Sequence, residues 1–306
     1  MSFLPVKRIL RTLYFALLCL PGALSAGETR EWTSTVGTTV EARLVEETAG
    51  GEVTLELANG SRIDLRMDQL SQKDREYIAR VSQEAAMSLK ILFIGNSYTG
   101  QVRRMVSALV KASPYANSKV QFISPGGKTL AFHLSQEKTM DLIREGDWDF
   151  VVLQDQSQTP AVFPDTFMDA AKGIDAIIDE SGAQTVFYET WGRRDGDKRN
   201  PERFPDYDSM QKALSNSYKK AARKCDARLA PVGTAWAIVR DRYPSLGREL
   251  YAKDGSHPAD AGAFLAACVF YATFLGGDPS EVDFDGGLSA ENVEAIYQAV
   301  AKAVSN

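Results

Sequence analysis

Residues 91–100 read ILFIGNSYTG, and this stretch decides the fold of the larger part of the chain. An apolar run leads into Gly95, three polar residues follow, and a helix-like pattern begins after them. Similar apolar runs recur at KVQFIS, DFVVLQ, QTVFYETW and ARLAPVG, separated by segments of helical period. Strands of this kind between helices predict a parallel sheet that is covered on both faces. Ser97 then follows a strand at the carboxyl edge of the sheet, where it either caps a helix or acts as a nucleophile.

Residues 1–26 have the layout of a secretory signal peptide. Lys7, Arg8 and Arg11 precede the apolar run TLYFALLCL at 12–20, and a Pro-Gly pair and small residues follow it. This order of charged, apolar and small residues predicts export and cleavage near residue 26. We therefore expect a secreted or periplasmic protein, with an uncleaved N-terminal anchor as the alternative.

Composition excludes several classes of function. The 35 basic and 40 acidic residues give a net charge of -5 and form no basic stripe, which argues against a nucleic-acid partner. Two histidines, no C-x-x-C pair and no glycine-rich phosphate or dinucleotide loop predict a protein without a metal or cofactor. After export, Cys225 and Cys268 either form a disulfide or remain buried thiols in apolar helical sequence. Nothing in the sequence indicates an oligomeric state.

A small β module precedes the alternating region. Apolar and polar residues alternate from Glu31 to about Leu70, an Asn-Gly pair marks a hairpin, and a short helix follows Ser71 as its N-cap. The segments REWTSTVGTTVEARLVE and GEVTLELANGSRIDLRMDQLSQKDREYI resemble the Sla1 homology domain 1 module. The resemblance implies an SH3-like barrel at 28–82 that binds a protein or cell-wall partner or acts as a spacer. Residues 82–88 are interpreted as a linker to an α/β domain at 88–306.

Ser97 needs a base, because a serine hydroxyl is a weak nucleophile until its proton is taken. His257 lies in AKDGSHPADAG, a loop-like stretch before a helix predicted near Pro258. Asp254, three residues earlier, can reach one ring nitrogen across a turn, which leaves the other nitrogen for Ser97. The sequence thus offers Ser97, His257 and Asp254 as nucleophile, base and orienting acid. The alternative is a loop histidine beside a turn-forming carboxylate.

Four blocks in chain order resemble the SGNH, or GDSL-like, hydrolases: FIGNSYT, ISPGGKTL, FVVLQDQS and DGSHPADAGAFLAA. The resemblance covers about residues 89–280. It implies a three-layer, flavodoxin-like sandwich and a serine esterase that works through an acyl-enzyme. It assigns the oxyanion hole to the N–H groups of Ser97 and Gly127 and to a side-chain amide in the third block. The family usually has asparagine in that block, whereas this chain has Gln154 and Gln156, and we assign Gln154 because it ends the apolar strand.

Substrate contacts are predicted at two further residues. Asn96 stands where the family more often has aspartate, and Trp191 follows the fourth strand of the sheet, where it would stack on a sugar ring or shape the acyl pocket. O-acetyl esters of carbohydrates are therefore the expected substrates. His133 is predicted to pack on a helix face, and the charged segment 193–208 either covers the site or is a solvated loop. The alternative function is a secreted binding protein that keeps the hydrolase fold without the activity and attaches through its N-terminal module.

Overall fold

A computed structural model of the chain describes residues 28–48 and 50–305. The predicted signal peptide lies outside the described residues. Within the described part of the chain, no helix has the length and apolar character needed to cross a membrane. The chain divides into two compact units, with the boundary between residues 86 and 87.

The first unit is built on a four-stranded antiparallel sheet whose strands are neighbours in chain order: β1 (Arg30–Thr33), β2 (Thr39–Glu47), β3 (Glu52–Leu57) and β4 (Arg62–Arg66). The sheet curls back on its first strand, because Ser34 pairs with Leu70 beyond the end of β4. Trp32 is buried and packs edge-on against Tyr77, with ring centroids 5.7 Å apart. This closure agrees with the predicted small barrel, and both aromatic residues serve its core.

Helix α1 (Gln72–Ala86) ends the first unit. The Ser71 hydroxyl accepts a hydrogen bond from the N–H of Asp74, as expected of an N-cap. The helix extends through most of the segment that the sequence assigned to a linker, so that assignment is wrong for residues 82–86. The cause is local: no glycine or proline interrupts QKDREYIARVSQEAA, and Arg80 forms an i,i+4 ion pair with Glu84.

The second unit contains five parallel strands: β5 (Lys90–Ile94), β6 (Lys119–Ile123), β7 (Phe150–Leu153), β8 (Gln184–Tyr188) and β9 (Arg228–Ala230). Their order across the sheet is β6-β5-β7-β8-β9, which is the flavodoxin-like order. Ile91 and Phe93 enter one hydrophobic core while Leu92 and Ile94 enter another, so β5 is buried on both faces. The predicted α/β class and parallel sheet are confirmed.

Helices cover both faces of this sheet. The first core contains residues of α2 (Ser97–Ala112), α8 (Val232–Arg242), α10 (Asp260–Phe270) and α11 (Ala290–Val304). The second contains residues of α3 (Leu130–Leu134), α4 (Glu137–Glu145), α5 (Thr159–Val162), α6 (Pro164–Ser181) and α7 (Tyr207–Cys225). The short helix α9 (Pro244–Glu249) follows α8, and a π-helical turn (Tyr271–Leu275) extends α10. Short 3₁₀ turns occupy Met67–Gln69 and Pro279–Glu281.

Two further features of the second unit bear on the sequence pattern. Residues 130–146 have a continuous helical period, but the structure divides them into α3 and α4, because the Ser135 hydroxyl bonds back to the Phe132 carbonyl and Gln136 is extended. Of the two alternatives for Cys225 and Cys268, the structure has free thiols. Cys268 belongs to one core and Cys225 packs against the other, so the sheet separates them.

Candidate active site

Ser97 is the first residue of α2, directly after the turn that leaves β5. The helix is capped by Asn96, whose Oδ1 accepts a hydrogen bond from the Tyr98 N–H at 3.2 Å, so the Ser97 hydroxyl is not needed as a cap. A glycine is required just before this pair. A Cβ at Gly95 would lie 2.2 Å from Oγ1 of Thr99.

The Ser97 hydroxyl begins a chain of two hydrogen bonds. Its Oγ lies 2.8 Å from Nε2 of His257, and Nδ1 of the same ring lies 2.6 Å from Oδ2 of Asp254. The ionised carboxylate requires Nδ1 to carry the proton, which leaves Nε2 free to accept the serine proton. The structure therefore brings together the three side chains that the sequence proposed for nucleophile, base and acid.

Asp254 is held in an ionised state by its own turn. Its Oδ1 accepts hydrogen bonds from the N–H groups of Ser256 and His257 at 2.9 and 3.0 Å. Partial burial opposes ionisation, but the bonds from the His257 ring and from these two N–H groups hold the pKa of Asp254 below its usual value. A charged carboxylate in this position fixes the ring and can stabilise an imidazolium.

An aromatic column supports the loop that carries His257. The ring of Tyr98 stacks on Trp191 at 4.8 Å, and Trp191 stacks on Trp236 at 3.9 Å. Nε1 of Trp191 donates to the Ser256 carbonyl at 2.9 Å, and the Tyr98 hydroxyl bonds to Oγ of Ser256 at 2.7 Å. Because Trp191 is fully buried, it cannot stack on a substrate, and the predicted sugar-binding role is wrong. It positions the residue before His257 instead.

The two backbone N–H groups that the sequence assigned to an oxyanion hole have no acceptor among the described residues. The N–H of Ser97 belongs to the first turn of α2 and has no intrahelical acceptor. Gly127 has φ +70, a conformation that favours glycine, and its N–H makes no hydrogen bond within the described residues. Both N–H groups are therefore free to donate, as the predicted oxyanion role requires.

Gln154 does not fit the oxyanion role that the sequence assigned to it. The side chain is fully buried. Its Oε1 accepts hydrogen bonds from the Asn96 N–H at 3.0 Å and from the Thr99 hydroxyl at 2.9 Å, and its Nε2 donates to the Asp155 carbonyl. Both ends of the amide are bound inside the protein and the side chain has no exposed surface, so it presents no donor to a substrate.

Gln156, the open alternative, has the free donor instead. Its Oε1 accepts from the Gln158 N–H at 2.8 Å, whereas its Nε2 has no partner among the described residues. Gln156 also lines the same cavity as Gly127. Gln154 directly follows the strand that ends at Leu153 and points into the protein, whereas Gln156 lies in the following turn and points outward. The period of the sequence does not distinguish these two directions.

Asn96 is likewise structural and not a substrate contact. It is 2% exposed, and its Nδ2 donates to the Lys128 carbonyl at 2.9 Å. This bond joins the turn that carries Ser97 to the loop that carries Gly127. The sequence prediction of substrate binding by Asn96 is therefore corrected to a positioning role.

Comparisons with known proteins agree with this geometry. Residues 25–86 match the family model described as SLA1 homology domain 1, SHD1. A protein from Slackia heliotrinireducens assigned to the SGNH hydrolases shares 31% identity with a TM-score of 0.53, over 61% of this chain and 98% of the other. The chain belongs to the SGNH hydrolase family.

The fold is also similar to that of a DUF4886 family protein from Bacteroides uniformis. It shares 18% identity with a TM-score of 0.60, over 71% of this chain and 95% of the other. A search of curated proteins found no match. The resemblances to the SGNH and Sla1-type families that the sequence suggested are thus confirmed.

His133 supports the turn between β5 and α2 that carries Ser97. It is fully buried on α3, and its Nε2 lies 2.8 Å from the Gly95 carbonyl, to which it donates. Burial lowers the pKa of His133, although the bond to Gly95 opposes this, and the lowered pKa favours the neutral ring. The predicted packing role is extended by a hydrogen bond to the turn that presents Ser97.

A cavity of about 420 Å³ lies beside Gly127 and Gln156. Polar and apolar groups contribute about equally to its walls, which are formed by Gly127, Thr129, Gln156, Gln158, Thr159, Val162, Phe163, Arg199 and Asn200. Sequence reasoning identified the segment 193–208 as a possible cover but missed Phe163 and Arg199 individually. An apolar residue at a helix junction and one arginine in a charged loop carry no distinguishing signal.

Asp197 orders the charged loop. It is buried, forms an ion pair with Arg193 at 2.7 Å, and accepts hydrogen bonds from Gln158 and Asn200 at 2.5 and 2.7 Å. Burial opposes ionisation, yet these partners hold the pKa of Asp197 below its usual value. The loop is therefore part of the cavity wall. Within the part of the chain that the structure describes, no group of three or more His, Cys, Asp or Glu residues could hold a metal ion.

Proposed function

We propose that the protein is a serine esterase that hydrolyses carboxylic esters through an acyl-enzyme on Ser97. The observation that carries the proposal is the continuous hydrogen-bonded chain from Ser97 through His257 to Asp254, with separations of 2.8 and 2.6 Å. Membership of the SGNH hydrolases supports the reaction class.

The mechanism follows from the donors and acceptors. Oγ of Ser97 attacks the ester carbonyl carbon while Nε2 of His257 takes its proton, and Asp254 stabilises the imidazolium. The N–H groups of Ser97 and Gly127 and the amide of Gln156 donate to the oxyanion, each worth about 3 kcal/mol. The C–O bond breaks, the alkoxide leaves with the proton from His257, and a water molecule repeats the sequence to release the carboxylic acid.

The substrate is proposed to be an O-acyl, in the first place O-acetyl, ester of a carbohydrate. The polar side chains in the wall of the cavity beside Gly127, among them Thr129, Gln158 and Asn200, support this, because sugar hydroxyl groups need hydrogen-bond partners. We further propose that the protein is exported, and that residues 28–86 attach it to a protein or cell-wall partner. Deleting residues 28–86 should abolish attachment to cell-wall material while ester turnover continues.

Turnover of p-nitrophenyl acetate tests the reaction. The chain without its signal segment should release nitrophenolate, and Ser97→Ala should not. Ser113→Ala is a matched control, because Ser113 is a cap at the far end of α2 whose hydroxyl bonds to the Val110 carbonyl. Equal rates for the wild type and Ser97→Ala would overturn the esterase proposal and favour an inactive binding protein. A screen of acetylated sugars for acetate release then addresses the substrate.

A further inference from the structure

The cavity beside the oxyanion donors has the chemical character of a specific subsite. We propose that it binds a sugar ring that carries a carboxylate, so that the substrate is an O-acylated acidic saccharide. In this subsite Phe163 is the stacking surface for the ring and Arg199 is the partner of the carboxylate. The inference rests on the proposed esterase function, since the cavity is lined by Gly127 and Gln156, which are the proposed oxyanion donors.

Phe163 offers an aromatic face that the protein leaves uncovered. It is 61% exposed, although it lies between two helices in the wall of the cavity. Its backbone is fixed from both sides, because its N–H donates to the Thr159 carbonyl at 2.8 Å and its carbonyl accepts from the Phe167 N–H at 3.0 Å. An exposed ring on a fixed backbone beside polar groups suits the apolar face of a pyranose.

Arg199 is the cation of the cavity that lacks an internal partner. Its neighbours Arg193 and Arg194 pair with Asp197 and Asp195, whereas Arg199 forms no ion pair within the described residues. Its backbone N–H donates to Asp197 at 3.1 Å, which fixes the start of the side chain. An unpaired guanidinium in the wall of a site favours a carboxylate, which it can bind through two parallel hydrogen bonds.

Two side-chain acceptors complete the match to a saccharide. The amide nitrogens of Gln158 and Asn200 both donate to Asp197. Their oxygens accept no hydrogen bond within the described residues and are therefore left for sugar hydroxyl groups. The volume of about 420 Å³ lies in the range of small-molecule sites.

Equilibrium binding to Ser97→Ala tests the inference, because this variant should not consume an ester. The probes are a panel of mono-O-acetylated methyl glucuronides and the matching methyl glucosides, which differ in the carboxylate alone. We expect the best glucuronide to bind about tenfold more tightly than its glucoside, as for one charge-assisted contact. Adding Arg199→Gln should remove this preference, and adding Phe163→Ala should weaken both probes.

Lys198→Gln is the matched control. It removes a neighbouring exposed cation that does not line the cavity, and it should leave both the preference and p-nitrophenyl acetate turnover unchanged. Equal binding of the two sugars, or a preference that survives Arg199→Gln, would overturn the inference even if the protein is an esterase. A preference that depends on Arg199 without hydrolysis of any ester would support the subsite and reject the esterase proposal.

Discussion

Replacing Gln156 should lower kcat with little change in KM. Its Nε2 is the side-chain donor that stays free beside Gly127, and a donor to the oxyanion acts on charge that develops after binding. Loss of one such donor costs about 2.7–4 kcal/mol, or roughly 100- to 1,000-fold in kcat. Gln156 is partly exposed, so water can replace part of the interaction. We therefore expect Gln156→Ala near the lower limit, about 100-fold, and Gln156→Glu lower still because its carboxylate repels the oxyanion.

Gln154 should respond in a different way. Gln154→Ala would leave the Asn96 N–H and the Thr99 hydroxyl unpaired in the core. At about 1–3 kcal/mol for each buried donor, the free energy of unfolding should fall by about 2–6 kcal/mol. Gln154→Glu is milder, because burial keeps the new carboxyl protonated, and it can then accept from Asn96 and donate to the Asp155 carbonyl as the amide does.

Steady-state turnover of p-nitrophenyl acetate and urea unfolding separate the two glutamines. We expect Gln154→Glu to keep kcat within about tenfold of the wild type, a loss below that of one oxyanion donor. Gln156→Glu should instead lose kcat while its unfolding midpoint stays close to that of the wild type. The opposite pattern, in which Gln154→Glu is folded but inactive and Gln156→Glu is active, would refute the assignment of the side-chain oxyanion donor to Gln156.

Two more predictions concern neighbouring residues. Burial raises the pKa of Asp155 to about 6, so its contribution to stability is present at low pH and is lost as pH rises through that value. Between about pH 4 and pH 8, wild type should lose up to about 3 kcal/mol of unfolding free energy relative to Asp155→Asn in urea titrations; parallel curves would contradict this. Trp191→Phe keeps the stacking but loses the bond to Ser256. It should lower kcat about fivefold with KM unchanged, as for one hydrogen bond, whereas a raised KM for sugar esters alone would argue against a positioning role.

The sequence predicted the sheet well because buried parallel strands carry a strong local signal. Each apolar run that it identified overlaps one of the strands β5 to β9. The break at Ser135 escaped prediction, since it depends on a side-chain bond to the Phe132 carbonyl within an otherwise helical pattern. Helices α8 and α9 received no assignment, and α1 continued into the presumed linker, because helix ends depend on capping more than on period.

The site residues also divide into those that local sequence motifs predict and those that depend on distant contacts. Ser97, His257 and Asp254 could be proposed because each lies in a short motif with its own chemical logic. The directions of the Asn96 and Trp191 side chains could not be predicted, because a polar or aromatic side chain at a strand end can point toward the groove or toward the core. The hydrogen bond that fixes the Asn96 side chain goes to the carbonyl of Lys128, 32 positions away in the sequence. The bond that fixes the Trp191 side chain goes to the carbonyl of Ser256, 65 positions away.

Restoring the family's more usual aspartate at position 96 should therefore impair this enzyme. Asn96 uses both ends of its amide, with Oδ1 on the Tyr98 N–H and Nδ2 on the Lys128 carbonyl. An aspartate keeps the first bond but turns an oxygen toward the Lys128 carbonyl at a site that is 2% exposed. One unpaired buried acceptor costs about 1–3 kcal/mol, and repulsion between the two oxygens adds to it.

The loss should reach catalysis because the Lys128 carbonyl anchors the loop that carries Gly127. We expect Asn96→Asp to lower the unfolding free energy by at least about 1 kcal/mol and kcat by about tenfold, as a partial loss of one oxyanion donor. Lys128→Ala keeps the backbone carbonyl and should leave kcat within about twofold, the range of ordinary surface substitutions. If Asn96→Asp matches or exceeds the wild type in both measurements, the bond to Lys128 does not hold the oxyanion loop, and the aspartate of other family members can be accommodated without it.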